Sequence, residues 1–143
     1  MLKSVCFAGV LIALSAMPAL ADLTCGSAPL APAIPGTGEF AGKTTDDAHQ
    51  FVLTALKGVK GYQGTLASFR ECLKTETNTV KASFQEAKAK GDKDKAAQLQ
   101  EQLDAMQSAW DKSVDTETQI VADYMKLHDA YCKMGTGLAG CAK

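Results

Sequence analysis

Four of the five cysteines, two histidines and scattered carboxylates are the side chains here that could do chemistry, and their spacing decides which chemistry. Cys25, Cys72, Cys132 and Cys141 are separated by 47, 60 and 9 residues. Thiolate zinc sites call for close-set pairs such as C-x-x-C, which these are not. An even number of cysteines in an oxidising compartment reads instead as two disulfides, with three possible pairings. His49 and His128 form the other donor set, with Met125 three residues before His128 on one helical face. Copper(I) accepts methionine and histidine, but the types and spacing match no recognised ligand set. The expectation is no metal and no cofactor, with His49, Met125 and His128 held as the candidates for a soft ion.

Catalytic patterns are weaker still. No serine lies in a G-x-S-x-G turn, and there is no Walker loop, dinucleotide fingerprint or C-x-x-C-H haem site. Asp111 with Asp115, and Asp46 with Asp47, are close carboxylates, but solvated helix faces carry such pairs routinely and raised pKa values require burial. The reading is therefore not an enzyme.

The compartment follows from the first 21 residues. Lys3, an apolar run from Val5 to Met17 and the closing Ala19-Leu20-Ala21 have the form of a cleaved secretory signal, here residues 1–21. The run is too short to cross a bilayer, which takes about 20 residues, and no later stretch approaches that length. The expectation is a soluble mature chain in a bacterial periplasm, with secretion as the alternative. Cys6 and Lys3 leave with the signal, so 14 basic residues face 16 acidic ones, a net charge of −2. With one arginine, Arg70, and no clustered basic surface, nucleic acid is excluded as a partner.

The elements that must position these residues are helical. Residues 22–44 form an arm with Pro29, Pro32 and Pro35 at every third position. That period suits polyproline II, which would put all three rings on one edge; a floppy leader is the alternative. Thr44 or Thr45 then caps a helix with Asp46 and Asp47 in its first turn. This helix runs to Lys90, stops at Gly91, and a second resumes from Asp92 or Asp94 through about Met134. Residues 135–143 are a glycine-rich tail.

The second helix carries a heptad seam of Leu99, Leu103, Met106, Trp110, Ser113, Glu117, Ile120, Tyr124, Leu127, Tyr131 and Met134. The first answers with Val52, Ala55, Val59, Tyr62, Leu66, Phe69, Leu73, Glu76, Val80, Ser83 and Ala87. The fold class is all-α: a long antiparallel helical hairpin over 45–134, a two-helix coiled coil with a proline-rich arm and disulfides. Gly58, Gly61 and Gly64 each cost about 1 kcal/mol inside a helix. The summed penalty favours a break near 58–64, giving a short third helix over 46–57. The alternative is a groove that admits the proline arm.

Folding back at Gly91-Asp92 sets residue i level with roughly residue 183 − i, at about 1.5 Å per residue. Cys72 and Cys132 then lie about 30 Å apart, beyond the 4–7 Å a disulfide permits. The expected bridges are Cys25–Cys72 and Cys132–Cys141; a break at the glycines would reopen Cys72–Cys132. The same register places Arg70 opposite Ser113 and within a turn of Glu117. Arg70 and Glu117 can form a structural polar pair that fixes register, although exposed charges are more often solvated separately.

A thin hairpin core leaves apolar seam area over, which invites a protein partner or self-association. The functional expectation is a non-catalytic interaction or scaffold protein acting through its helical faces, with a small-molecule ligand unlikely. The alternatives are a holdase-like chaperone and a small copper-binding protein.

Overall fold

The computed structural model describes residues 24–141; the signal-peptide reading of residues 1–21 lies outside them. Among the described residues there are two long helices and one 3-10 turn at Thr37–Phe40, with no strand. Helix α1 spans Thr45–Lys90 and α2 spans Lys93–Cys132, lengths of about 69 and 60 Å at 1.5 Å per residue. Each boundary has a side-chain or backbone cause. Thr44 Oγ1 accepts the Asp47 N–H at 3.2 Å, satisfying one orphan donor of the first turn of α1. At the other end Gly91 takes φ 71°. Its N–H reaches the Lys88 carbonyl, and the Asp92 N–H reaches that of Ala87 at 3.0 Å. This is a Schellman stop, and it needs a residue that tolerates the left-handed region. Asp92 Oδ1 then accepts the Lys95 N–H and opens α2. Helix α2 closes at Cys132, two residues short of the expected Met134, which lies past the helix end and is 37% exposed.

The two helices pack antiparallel in the register the turn dictates. Arg70 meets Ser113 and Thr77 meets Met106. The buried side chains of α1 from Ala48 through Val52, Ala55, Val59, Tyr62, Leu66 and Phe69 to Leu73 alternate in steps of four and three. Helix α2 contributes Met106, Ser113, Ile120, Leu127 and Tyr131.

The break expected over 58–64 does not occur: α1 is continuous through all three glycines. A seam buried on both sides of this segment, with Ala55 and Val59 before Gly61 and Tyr62 and Leu66 after it, outweighs a propensity penalty of about 1 kcal/mol per glycine. Only Gly58 has the close-approach role: a Cβ there would stand 3.6 Å from Pro32 Cβ, whereas Gly61 and Gly64 face open space.

The arm runs antiparallel to α1. Cys25 is bonded to Cys72 and Pro32 lies at Gly58. Seven arm residues thus span fourteen helical ones, about 21 Å by either measure (3.1 Å per residue in polyproline II, 1.5 Å in the helix). Pro29, Pro32 and Pro35 are all half-buried, while Leu30, Ala31 and Ala33 face solvent. The arm ends in the 3-10 turn, whose Phe40 is buried with Ala48, Val52, Ala55, Leu127 and Tyr131 at the base of the hairpin. Leu138 of the C-terminal tail packs on this cluster too, and Cys141 is bonded to Cys132.

Candidate functional site

Among the described residues the extra layers cover one half of the hairpin only. Arm, 3-10 turn and tail lie between the base and the level of Cys72 and Glu76, where Cys25 and Thr24 meet α1, and beyond it toward the Gly91 turn the described residues form two helices alone. Burial records the difference. Past Leu73, α1 buries only Ala87, and before Met106, α2 buries nothing. The seam residues Val80, Leu99 and Leu103 stay half-exposed. Between the helices in this distal half lies an open groove of about 400 Å³, bordered by Leu73, Thr77, Leu103, Met106 and Trp110. Trp110 occupies a seam position yet is 36% exposed. The heptad pattern reads it as core; the helix pair is too thin at this level to cover an indole.

A polar layer closes the proximal end of that groove. Arg70 donates from Nε to Ser113 Oγ at 2.8 Å and from Nη1 to Glu117 Oε2 at 2.6 Å. Gln63 Nε2 donates to the other Glu117 oxygen at 2.9 Å. The Ser113 hydroxyl donates to the Trp110 carbonyl at 2.6 Å, which leaves its oxygen lone pairs free to accept from Arg70. The guanidinium carbon lies 5.9 Å from the Trp110 ring centroid, a cation–π distance. The Arg70 and Glu117 side chains are 20% and 26% exposed. The two charges are therefore paired rather than separately solvated: the facing helix screens them from water. Arg70 chiefly, with Gln63 assisting, holds the Glu117 carboxyl below its ordinary range against the opposing effect of desolvation. This constellation ties the two helices together at one level through four side chains.

At the base, His49 and His128 line one cavity of about 230 Å³ with Tyr124, Tyr131, Ala139 and Gly140. His49 stacks on Tyr131 with ring centroids 5.5 Å apart. Met125 is half exposed and does not border the cavity, so the three soft-ion candidates do not converge. His128 instead faces the cystine: its ring nitrogens are 3.9 Å from Cys132 Sγ. Burial pushes the Tyr124 hydroxyl up from its ordinary value.

The carboxylate pairs serve the helices. Asp47 accepts from the Thr44 hydroxyl at 2.7 Å, Asp111 accepts from Gln107 at 2.8 Å, and Asp46 and Asp115 are exposed. Sequence reasoning missed Glu76, whose Oε1 accepts the Thr24 N–H at 3.1 Å while Oε2 lies 3.1 Å from Cys25 Sγ. Its place one helical turn beyond Cys72 was the available signal. Gln63 was missed as well, although Glu117 lies within one turn of its level.

Two disulfides join the described residues, and no helix among them is long and apolar enough to cross a membrane. Comparison with protein-family models, with curated proteins and with solved structures gives no match.

Proposed function

We propose that this chain is an exported, non-catalytic interaction protein that works in an oxidising compartment, the periplasm of a bacterium or the medium outside a cell. A protein partner docks on the distal half of its hairpin. The uneven covering of the hairpin carries this reading. The proximal half is covered by three added segments and holds both disulfides, while among the described residues the distal half keeps an open groove in which Leu73, Leu103 and Met106 lie among polar side chains, with a part-exposed Trp110 at its edge. Tryptophan at the edge of a groove that also exposes leucine and methionine, with arginine beside it, is the composition of a binding hot spot. The signal-like start and the disulfide framework support the compartment.

The test is a pull-down from envelope extract with the mature chain, Leu103→Asp and an outer-face control, Ala82→Asp, alongside light scattering of the purified chain. A discrete partner retained by the native chain and Ala82→Asp, and lost with Leu103→Asp, supports docking at the groove. A dimer dissociated by Leu103→Asp assigns the groove to self-association. Suppression of aggregation of many unrelated unfolded clients would favour a holdase. A monomer with no partner contradicts the proposal.

A further inference from the structure

The base of the hairpin holds a donor set independent of the distal groove. His128 and Cys132 are one helical turn apart on α2, and the tail brings Cys141 back beside them. One ligand atom from each of the three lies within 4.8 Å of the other two. Cys132 Sγ is 3.9 Å from both ring nitrogens of His128. A tetrahedral zinc ion, with Zn–S about 2.3 Å and Zn–N about 2.0 Å, holds its donors roughly 3.5–3.8 Å apart. The two sets of separations differ by an amount that side-chain rotation can close.

The geometry points to a redox-gated site for a thiophilic d10 cation, zinc or copper(I), formed by His128, Cys132 and Cys141 when their disulfide is reduced. The oxidised form has no thiolate to offer. A dithiol reductant opens the site by exchange: its two thiols give up two electrons and two protons and become a disulfide, while the Cys132–Cys141 bond becomes two thiols. Metal uptake then releases the two thiol protons to solvent, and neutral His128 contributes a nitrogen lone pair. Two thiolates and one imidazole leave a fourth position open, as in sites that keep an exchangeable ligand.

Three features keep the donors together without the S–S bond. Leu138 packs against the basal cluster and anchors the tail. The Cys141 N–H bonds to the Leu138 carbonyl at 3.1 Å and turns the tail back on itself. Gly140 takes φ 84°, and a Cβ there would stand 3.8 Å from His128 Nε2, so the backbone passes close over the imidazole. His128 and Gly140 also border the basal cavity of about 230 Å³.

The second cystine also has a neighbouring donor, Glu76. That carboxylate is already engaged by the Thr24 N–H, whereas the His128 nitrogens have no hydrogen-bond partner among the described residues apart from the Cys132 sulfur.

The test uses the mature full-length chain, reduced with dithiothreitol, freed of it by gel filtration under argon, and titrated with zinc alone. Native mass spectrometry counts the ion and alkylation mapping finds the protected thiols. The expected result is one zinc per chain, with Cys132 and Cys141 protected and Cys25 and Cys72 labelled. His128→Ala and Cys141→Ser should each weaken binding at least tenfold, and the oxidised chain should bind at least a hundredfold more weakly than the reduced one. No zinc uptake, protection of Cys25 and Cys72 instead, equal binding by the oxidised chain, or unchanged affinity in both variants would each overturn the site.

Discussion

Arg70 and Glu117 meet across the helix pair at 2.6 Å, each more than two-thirds buried, with Ser113 and Gln63 satisfying further valences of the same layer. Among the described residues this is the one ion pair that crosses between the helices; the others lie within a single helix. It lies where the three-layer base gives way to the two-layer distal half.

The pair makes stability acid-sensitive. Glu117 has a folded-state pKa held below its ordinary value by Arg70 and then Gln63. The folded state therefore binds fewer protons than the unfolded chain as pH falls toward the ordinary glutamate range. Its contribution is complete above the unfolded pKa, about 4.3, and is lost as pH drops through the folded value. Glu117→Gln should flatten the acid limb of a urea-denaturation series below about pH 5 and cost about 1.5–3 kcal/mol at pH 7. Arg70→Lys should recover only part of the Arg70→Ala loss, since an ammonium cannot reach Ser113 and Glu117 in the same fork.

The glycines of α1 should separate by what faces them. Gly61→Ala and Gly64→Ala place a methyl in open space and should each stabilise by about 0.5–1 kcal/mol through helix propensity. Gly58→Leu drives a branched side chain into Pro32. It should destabilise and raise protease cleavage within the arm, while helical circular dichroism stays near the native level.

Much of this fold is legible in the sequence because it rests on short-range rules. Thr44, Gly91 and Asp92 mark helix ends by local chemistry, and the steps of four and three from Val52 to Leu73 name the buried face before any partner is known. The level rule also carried Arg70 to Ser113, since a two-residue turn leaves no freedom of register. The sequence leaves Gly58 open between a break and a groove for the arm, and propensity favours the break; the choice depends on packing between segments distant in sequence. Trp110 misled for a related reason: periodicity reports which way a residue points and says nothing of how many layers will cover it. The neighbourhood of His128 was half visible. The step of four to Cys132 can be read from the chain, but the return of Cys141 over the ring depends on a tail fold that spacing alone does not specify.

The two cystines should differ in weight. In the chain-entropy model, closing the 47-residue span of Cys25–Cys72 is worth roughly 4 kcal/mol and the 9-residue span of Cys132–Cys141 roughly 2.5. Cys25→Ser with Cys72→Ser should lower the urea midpoint more than Cys132→Ser with Cys141→Ser. It should also free the arm to early proteolysis, which the second double variant leaves unchanged.

Hydrogen exchange should divide the hairpin at the same level as its burial. Among the described residues, amides of α1 from Val52 to Phe69 sit beneath the arm and the 3-10 turn, while those from Thr77 to Lys88 belong to helices packed on each other alone. The distal amides should exchange roughly tenfold faster or more. A bound partner should slow the distal set and leave the proximal set unchanged.

Site-specific photo-crosslinking in the producing cell addresses docking on the distal groove without purification. A photoreactive residue at Leu103 or Thr77 should yield one discrete protein adduct, and the same probe at Ala82, on the outer face of the same half, should yield none. No adduct at Leu103 and Thr77, or equal adducts at all three positions, would contradict a partner seated between the helices.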